Sequence, residues 1–225
     1  MSNIAVIPAA GKGFRSGFST PKQYLKINGK EIIVYTLQTF QKNKLINKII
    51  IAAEPVYFDK IIKLIKKYKL SKVKLIVEGG DNRQQSVFNA VYASEAGDND
   101  LIIVHDAARA LLPDSVLTKS ILSAKKNGNA LVCIKAKDTL IKGKKFVNEY
   151  LNRDEVYYVQ TPQIFKYKDL YKALLKAEKE NFTGTDESML VKKSGKKVNI
   201  VEGSVFNYKI TTTDDVELFK KLITK

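Results

Sequence analysis

Short, continuous runs of apolar residues alternate with helical patterns along most of this chain. Five runs are rich in β-branched residues and lack polar alternation: Asn3–Pro8, Lys48–Ala53, Val73–Glu78, Leu101–His105 and Ala130–Ala136. Strands that are buried on both faces have this pattern. Helical spacing or a helix start signal lies between the runs, over Tyr57–Tyr68, Ser86–Glu95 and Asp114–Lys126. This order predicts an α/β fold, in which a mostly parallel sheet has helices on both sides.

The predicted helix over Tyr57–Tyr68 shows how one face is expected to pack. Its apolar stripe consists of Phe58, Ile61, Ile62, Ile65 and Tyr68. Lysines occupy the opposite face, which is typical of a helix side that faces solvent.

The strand–helix pattern is interrupted at about residues 137–158. Two short runs, Thr139–Ile141 and Lys145–Val147, flank the turn sequence at Lys142-Gly143-Lys144, so we predict a β-hairpin. Few of its side chains can reach a core, and a second subunit is the simplest partner for such an arm. Further elements follow in the order helix, helix, strand, helix: Lys168–Lys179, Asp186–Lys193, Lys197–Glu202 and Asp214–Thr224. With no internal repeat or low-complexity linker, we expect residues 1–225 to form one domain with an arm.

Composition excludes several classes of protein. The chain has 225 residues, of which 44% are hydrophobic and 28% are charged, so intrinsic disorder, collagen and coiled coil are excluded. No apolar run approaches the ~20 residues of a membrane span, and Met1–Ile7 lacks the features of a signal peptide. The single cysteine, Cys133, excludes an intramolecular disulfide and a cysteine zinc cluster, and its apolar surroundings predict a core position. We therefore expect a cytoplasmic protein that does not associate with membranes.

The positive charge of the chain leaves nucleic-acid binding as an alternative of a different class. Lys and Arg together number 39 against 23 Asp and Glu, giving a formal charge of +16. Nucleic-acid surfaces rely heavily on arginine, however, and this chain has only Arg15, Arg83, Arg109 and Arg153. A lysine-rich surface without a nucleic-acid partner is the favoured interpretation. Each of the few arginines is expected where a planar fork of donors is needed.

Candidate chemistry follows three of the predicted strands. The first leads into Ala9–Gly17, a segment of glycine and small residues around Lys12, Phe14 and Arg15 that is neither a Walker loop nor a dinucleotide-binding fingerprint. Two cations come with this loop: Arg15 lies within it, and Lys22 follows it next to Pro21. Gly79-Gly80-Asp81-Asn82-Arg83 follows the third strand, and His105-Asp106-Ala107-Ala108-Arg109 ends the fourth. Ligands bind outside the carboxyl ends of parallel strands, so these loops predict one binding site.

The shortage of general bases restricts the type of reaction. The only histidine, His105, is expected to be a hydrogen-bonded structural residue, and no Ser/His/Asp order is present. Glycine amides and fixed cations suit a nucleophile that is already anionic. A phosphate monoester, whose second pKa is about 6, is such a nucleophile. Nucleotidyl transfer, in which positioning and charge neutralisation dominate, is therefore the predicted reaction.

Six motifs in order carry a resemblance to a known family. They are Pro8-Ala9-Ala10-Gly11-x-Gly13-x-Arg15 with Pro21-Lys22-Gln23-Tyr24, Gly79-Gly80-x-x-Arg83 with Ser86-Val87, Val104-His105-Asp106-Ala107-Ala108-Arg109, Thr161-Pro162-Gln163, Thr185-Asp186-Glu187-Ser188, and Asn207-x-Lys209-Ile210-Thr211. Together they resemble the 2-C-methyl-D-erythritol 4-phosphate cytidylyltransferases of the non-mevalonate isoprenoid pathway. The resemblance covers essentially the whole chain, including the arm.

The resemblance implies a three-layer α/β/α nucleotidyltransferase fold and a homodimer that is held by the arm. It implies that CTP and 2-C-methyl-D-erythritol 4-phosphate react, with Mg²⁺, to give 4-diphosphocytidyl-2-C-methyl-D-erythritol and pyrophosphate. The implied catalytic residues are Arg15 and Lys22 at the triphosphate, and Lys209 and the partner subunit's Arg153 at the attacking phosphate. The residues implied to surround the cytidine are Ala9, Ala10, Gly11, Gly80, Asp81 and Ser86. The pocket for methylerythritol phosphate is implied to contain Arg109, Thr139, Thr161 and Thr185.

Asp106 is implied to lie where the ribose, the metal and the second substrate meet. It is the candidate protein ligand of a Mg²⁺ ion that is held mainly by phosphates. One departure from the family pattern lies nearby, since Ala110 stands where a proline usually follows Arg109. Without that proline the unfolded chain has more conformational entropy, which is expected to make the folded loop less stable by about 0.4–1 kcal/mol.

A related family, the ribitol 5-phosphate cytidylyltransferases, provides a second alternative. Its first loop usually reads Ala-Gly-Gly where this chain has Ala9-Ala10-Gly11. The sequence Thr185-Asp186-Glu187-Ser188 also favours the methylerythritol enzyme. A comparison of the two acceptor substrates would separate these alternatives.

Overall fold

Strands and helices alternate along the chain in the computed structural model, which describes residues 1–11 and 20–224. The strands of the described residues are β1 (Asn3–Pro8), β2 (Lys26–Ile27), β3 (Lys30–Glu31), β4 (Lys48–Ala53), β5 (Val73–Glu78), β6 (Leu101–Val104), β7 (Asn129–Lys135), β8 (Leu140–Gly143), β9 (Val147–Leu151), β10 (Tyr157–Lys166) and β11 (Ile200–Glu202). The helices are α1 (Ile32–Lys42), α2 (Phe58–Lys67), α3 (Arg83–Tyr92), α4 (Asp114–Asn127), α5 (Tyr167–Lys179), α6 (Glu187–Lys193) and α7 (Thr213–Ile223).

A seven-stranded sheet in the order β11-β7-β10-β6-β1-β4-β5 forms the centre of the molecule. Strand β1 pairs in parallel with β4 and β6, and the pairs β4–β5 and β7–β11 are also parallel. Strand β10 runs antiparallel to both of its neighbours, β6 and β7. The mostly parallel sheet that the apolar runs predict is therefore confirmed.

Helices cover both faces of this sheet, which gives three layers. One face of the sheet packs against apolar side chains of α1, α2 and α4. The other face packs against α3, α5 and α6. A third, smaller cluster joins α7 to the segment after β6 through Ala108, Ala110, Ile210 and Phe219. None of the helices in the described part of the chain is long and apolar enough to cross a membrane.

Most predicted elements are present, with shifts at their ends. The first three predicted strands match β1, β4 and β5 residue for residue, and the next two differ by one residue at their ends. Burial on both faces is wrong for β5, because it is an edge strand and none of its residues is fully buried. Helix α3 begins at Arg83 rather than at Ser86, because the Asn82 side chain caps it by accepting the Gln85 N–H at 2.9 Å. In α2 the predicted stripe is partly wrong, since Ile62 is exposed and Leu64 is buried.

Helix α1, strand β10 and the short β2–β3 hairpin were not predicted from the sequence. Helix α1 follows the short β2–β3 hairpin and is buried along most of its length. Strand β10 contains a polar, proline-bearing stretch that reads as a loop, since proline removes a donor from a ladder. In the structure the pairing of β10 with β7 breaks in this stretch, between Val159 and Gln163, and resumes beyond it.

The predicted hairpin is present. Strands β8 and β9 pair with each other in a separate two-stranded sheet. The predicted position of the turn is wrong: Gly143 ends β8 and pairs with Val147, so the turn falls on residues 144–146 and the second strand begins two residues later than predicted. Every residue from Ile141 to Tyr150 is exposed. Its apolar side chains therefore contribute nothing to the core of this chain.

Candidate active site

The candidate site lies at the edge of the sheet where β1, β5 and β6 end. These strands are parallel within the order β6-β1-β4-β5, so their carboxyl ends share one edge. The loops that follow are tied to neighbouring strands: Gly79 N–H donates to Ala53 O at 2.9 Å, and His105 N–H donates to Val6 O at 3.0 Å. The sequence prediction that these three loops meet at one edge is confirmed.

The loop after β5 comes very close to the loop after β1. A Cβ on Gly79 would lie 2.2 Å from the Cβ of Ala10, so a side chain at Gly79 would force the loops apart. The Gly80 N–H donates to Ser86 Oγ at 3.0 Å, and the Ser86 hydroxyl donates to Asn82 O at 2.9 Å. Ser86 is buried, so in this structure its hydroxyl fixes the shape of the loop.

These two adjoining loops and the first turn of α3 carry every residue that the resemblance places around the cytidine. Among them Ala9, Ala10 and Ser86 are buried, whereas Gly11 and Asp81 are exposed. The six residues therefore lie in one region, where the loops after β1 and β5 adjoin. We call the segment from Gly79 to Asn82, which precedes α3, the nucleoside loop, after the role that the resemblance implies for it.

Lys22 lies on a short turn that is fastened to the end of β1. The turn covers Lys22–Tyr24, directly after Pro21, and the Gln23 side chain donates to Ala9 O at 2.6 Å and to Gly11 O at 2.9 Å. Tyr24 is buried, and its ring stacks on that of Tyr57 with centroids 4.2 Å apart. Lys22 is thereby held beside the loop after β1. Arg15, its predicted catalytic partner, lies within residues 12–19, outside the described residues.

Asp106 is the centre of a charged cluster. Its carboxylate accepts from Arg83 Nε at 2.9 Å, and Lys209 Nζ lies 2.9 Å from the other oxygen. Arg109 Nε is 3.7 Å from that second oxygen. Arg83 also donates through both terminal nitrogens to the two carboxylate oxygens of Glu187, at 2.6 and 3.0 Å. Sequence analysis predicted that arginine is used where a planar fork is needed, and Arg83 confirms it.

The cluster contains more positive than negative groups. Burial opposes ionisation of Asp106, but the positive charges of Arg83 and Lys209 outweigh that effect and hold the pKa of this carboxyl well below its usual range. Three cations, Arg83, Arg109 and Lys209, thus face two carboxylates, those of Asp106 and Glu187. The excess of positive charge suits an anionic ligand.

A buried hydrogen-bond chain fixes the backbone of Asp106. The Asp106 N–H donates to Thr161 Oγ1 at 3.1 Å, and Thr161 Oγ1 lies 3.0 Å from His105 Nδ1. His105 Nε2 lies 3.1 Å from the carbonyl oxygen of Arg109. Because that carbonyl can only accept, Nε2 carries the proton and Nδ1 accepts from the Thr161 hydroxyl. His105 is therefore a structural residue, as predicted, and the Thr161 hydroxyl is used within the protein.

Acid is expected to weaken the fold through His105. Burial lowers the pKa of its imidazole to about 4, whereas an unfolded histidine titrates near 6.5. Because only the unfolded chain binds this proton between those values, stability falls as the pH drops from about 6.5 to 4, by about 3 kcal/mol. A His105→Gln variant keeps a donor near Arg109 O but does not titrate. We expect urea unfolding to show a flatter pH dependence for the variant, and equal slopes would contradict this role.

Arg109 is packed into the protein and joins two parts of the site. Its terminal nitrogens donate to Asn207 O at 2.7 Å and to Val159 O at 3.4 Å. Asn207 is fully buried and donates to Thr161 O at 2.7 Å. These contacts hold the segment that carries Lys209 against the loop after β6. Ala110, at the position of the family's usual proline, is buried in the cluster with Ile210 and Phe219.

The remaining predicted site residues lie further out. Thr185 is exposed and precedes α6, two residues before Glu187 of the cluster. Thr139 and Arg153 are exposed at the base of the arm, where an Arg153 terminal nitrogen donates to Lys137 O at 3.3 Å. Within this chain, the described contacts bring Thr139 and Arg153 to no member of the Asp106 cluster.

The acidic residues of the site offer little to a metal ion. Among the residues that the structure describes, no group of three or more His, Cys, Asp or Glu side chains could hold a metal. Both Asp106 oxygens already lie 2.9 Å from a cationic nitrogen. These residues would suit a Mg²⁺ ion only if substrate phosphate oxygens supplied most of its ligands.

Sequence reasoning gave no role to Glu187, Gln23 or Gln84. All three stand inside or next to quoted motifs, yet nothing in their spacing shows that Glu187 is buried against Arg83. The scarcity of arginine was the one sequence feature that pointed to a buried acidic partner for Arg83. An arginine that is retained in a lysine-rich chain implies an acidic partner for its fork.

A family model named 2-C-methyl-D-erythritol 4-phosphate cytidylyltransferase matches residues 3–225 of this chain. The chain belongs to this family. A protein of that name from Clostridium acetobutylicum is 40% identical over 99% of this chain and 98% of its own length. One from Geobacter metallireducens is 38% identical over the same shares of the two chains.

Solved structures of cytidylyltransferases have the same fold. The 2-C-methyl-D-erythritol 4-phosphate cytidylyltransferase of Francisella tularensis has a TM-score of 0.85 at 30% identity, covering 99% of this chain and 100% of that one. The 4-diphosphocytidyl-2C-methyl-D-erythritol synthase of Anaerococcus prevotii has a TM-score of 0.86 at 29% identity, covering 100% and 99%. Family membership and the three-layer fold implied by the motifs are thus confirmed.

Proposed function

We propose that this cytidylyltransferase transfers CMP from CTP to 2-C-methyl-D-erythritol 4-phosphate and releases pyrophosphate. The observation that carries the proposal is the Asp106 cluster, in which three cations surround one buried carboxylate beside the nucleoside loop. Family membership supplies the identity of the substrates. The enzyme is proposed to act in the cytoplasm, without a nucleic-acid or membrane partner.

The proposed step needs no general base. A non-bridging oxygen of the acceptor phosphate forms a bond to the α-phosphorus of CTP. The bond from that phosphorus to the oxygen shared with the β-phosphate breaks, and pyrophosphate leaves with the electron pair. The acceptor is already an anion, so no proton has to be removed. The buried and hydrogen-bonded state of His105 is consistent with this mechanism.

The chain's contribution is to hold two anions together and to neutralise the charge that develops between them. Lys22 and Arg15 are proposed to bind the triphosphate, and Lys209 and the partner subunit's Arg153 the acceptor phosphate, in a pocket that Arg109 helps to complete. Mg²⁺, held mainly by the phosphates with Asp106 nearby, would supply further neutralisation. Asp106 positions Lys209, because their charged groups are 2.9 Å apart.

The rate is expected to follow the ionisation of the acceptor rather than of the enzyme. The pKa of Asp106 is held well below its usual range and that of His105 is lowered to about 4, so neither changes charge between about pH 5.5 and 8. We expect kcat/KM for the acceptor to rise through the second phosphate pKa of about 6 and then to level off. A pH–rate profile that falls on both sides of pH 7 would instead indicate an acid–base group in the enzyme.

We also propose that the arm joins two copies of the chain. Its exposed apolar side chains, with exposed fractions of 52% for Ile141, 74% for Phe146 and 71% for Tyr150, support an intersubunit contact. Ile141 and Tyr150 are directly paired across the two strands, and large apolar side chains that adjoin one another are seldom left in water. In such a dimer, the partner's Arg153 would reach the acceptor pocket of this chain.

Replacing Arg153 is expected to impair use of the acceptor more than use of CTP. The Arg153→Ala variant should raise the KM for methylerythritol phosphate by about tenfold, because one charged hydrogen bond to a phosphate is lost. The KM for CTP should change by less than about twofold. Asp154→Asn, which breaks an exposed ion pair with Lys135 next to Arg153, is a matched control. A larger change in the KM for CTP would show that the arm does not belong to the acceptor pocket.

Pyrophosphate release from CTP with Mg²⁺ tests the function directly. Parallel reactions should contain methylerythritol 4-phosphate, ribitol 5-phosphate or no acceptor. Release with methylerythritol 4-phosphate alone is the expected result. Release with ribitol phosphate would keep the mechanism but change the acceptor, and release with neither would overturn the proposal.

A further inference from the structure

The first turn of α3 contacts both halves of the site. On one side, Ser86 holds the nucleoside loop by accepting the Gly80 N–H at 3.0 Å. On the other side, Arg83 and Gln84 reach the segment of residues 182–187, which carries Thr185 and which we call the acceptor segment. Because a helical turn is rigid, contacts from one turn to two segments fix the distance between them.

Arg83 uses its whole guanidinium group in this connection. Its terminal nitrogens donate to both oxygens of Glu187, at 2.6 and 3.0 Å, while its Nε donates to Asp106 at 2.9 Å. Glu187 is only 1% exposed, and Arg83 is the cation that pairs with it among the described residues. A buried carboxylate with one such partner has little freedom to move, because breaking the pair would leave a charge without compensation.

Gln84 makes a second, uncharged connection to the same segment. Its side-chain nitrogen donates to Phe182 O at 3.1 Å, and its side-chain oxygen accepts the Gly184 N–H at 2.9 Å. The acceptor segment also lies close to α6 at this point, since a Cβ on Gly184 would lie 2.7 Å from a methyl carbon of Leu190. Two neighbouring side chains of α3 therefore hold both ends of the acceptor segment.

We propose that Arg83, Gln84 and Glu187 are positioning residues that set the acceptor segment and Asp106 at a fixed distance from the nucleoside loop. None of the three has to touch a substrate. They act by holding other residues: the acceptor segment with Thr185 on one side, and Asp106, which in turn holds Lys209, on the other. In-line attack requires the acceptor oxygen and the α-phosphorus to be aligned, and small misplacements of either reduce the rate strongly. The proposal rests on the proposed function, because it assigns the acceptor to this side of the site.

Steady-state kinetics of three variants test this proposal. Glu187→Gln keeps the length of the side chain and removes its charge, Glu187→Asp restores the charge, and Gln84→Ala removes only the neutral connection. Asp169→Asn is a matched control, because it breaks an ion pair between Lys196 and α5 in the same layer. For each variant, kcat and the KM of both substrates are measured from pyrophosphate release, and CTP affinity is measured by calorimetry.

Glu187→Gln is expected to lower kcat/KM for the acceptor by about 10–100-fold, with partial recovery in Glu187→Asp. Gln84→Ala is expected to raise the KM for the acceptor by about 3–10-fold. CTP affinity should stay within about twofold of the wild type in all of them. Acceptor kinetics that match those of the Asp169→Asn control, or an equal loss of CTP affinity, would overturn the proposal. Should Glu187→Gln fail to fold, Gln84→Ala decides the question alone.

Hydrogen exchange separates failure of this proposal from failure of the proposed function. If the wild type releases no pyrophosphate with any acceptor, the proposed function is wrong. Exchange of the backbone amides of residues 183–188 is then compared in the wild type, Gln84→Ala and Asp169→Asn without substrate. Faster exchange in Gln84→Ala alone would support the positioning contact. Unchanged exchange would overturn it.

Discussion

Replacing Lys22 by alanine is expected to lower kcat by about 10²–10³-fold, the cost typical of removing one donor that faces developing charge. The turn that carries Lys22 is fastened to the end of β1 through Gln23, so the backbone of Lys22 is held beside the loop after β1. A cation that faces the charge developing at the α-phosphate stabilises the transition state more than the ground state. The affinity for CTP should therefore fall much less than kcat. Single-turnover measurements of pyrophosphate release, with calorimetric titration of CTP, separate the two effects.

Lys26→Ala is the matched control for this experiment. Lys26 is an exposed lysine four residues further along the chain, on β2. Its loss changes the net charge by the same amount and should leave kcat within about twofold of the wild type. Near-normal turnover in Lys22→Ala would remove Lys22 from the mechanism. An equal loss in Lys26→Ala would mean that total charge, rather than position, determines the rate.

Replacing Asp106 by asparagine is expected to affect both catalysis and stability. The carboxylate lies between Arg83 and Lys209 and is 7% exposed, so removing its charge leaves three cations close together in a buried site. Loss of one partner from a buried charge cluster destabilises a fold by about 3–5 kcal/mol. Lys209 would no longer be held toward the acceptor, and kcat should fall by at least about 10²-fold. Urea unfolding and pyrophosphate release measure the two effects.

The effect of Asp106→Asn should not depend on pH within the working range. A carboxyl whose folded pKa is lowered stabilises the fold above its unfolded pKa of about 4, and this contribution is lost only as the pH falls toward the folded value. The stability difference between wild type and variant should therefore be constant from about pH 6 to 8 and shrink in acid. Asp169→Asn, at an ion pair outside the site, should cost less than about 1 kcal/mol. A difference that grows in acid would contradict the assigned charge of Asp106.

Sequence patterns predicted those elements whose side chains are mostly apolar or follow a regular apolar spacing. Strands β1, β4 and β5 are largely apolar runs, and charged, polar or turn residues flank them at every end except the carboxyl end of β1. Strand β10 and helix α1 were not predicted. In β10 the stretch Gln160–Pro162 is polar and contains proline, yet Gln160 and Thr161 are buried because they hydrogen-bond to segments far away in the chain. A local pattern carries no information about partners at that distance.

Family motifs predicted more of the site than residue chemistry alone could. They placed Asp106, Arg109 and Lys209 in one pocket, and the structure brings these three side chains together. The same motifs implied a substrate contact for Thr161, whose hydroxyl lies between the Asp106 N–H and His105 in the structure. The implied roles of Arg15 and of the arm residues Thr139 and Arg153 stay predictions.

By itself, the sequence determined the α/β class, the three loops that meet at one edge of the sheet, and the scarcity of histidine and cysteine. These follow from apolar runs, glycine positions and residue counts, all of which are local properties of the chain. Only the tertiary structure decided which charges pair. Arg83 and Glu187 are 104 residues apart, and their pairing depends on how α3 and α6 dock on the same face of the sheet. A charge acquires a partner through distance and burial, and both are set by packing rather than by sequence order.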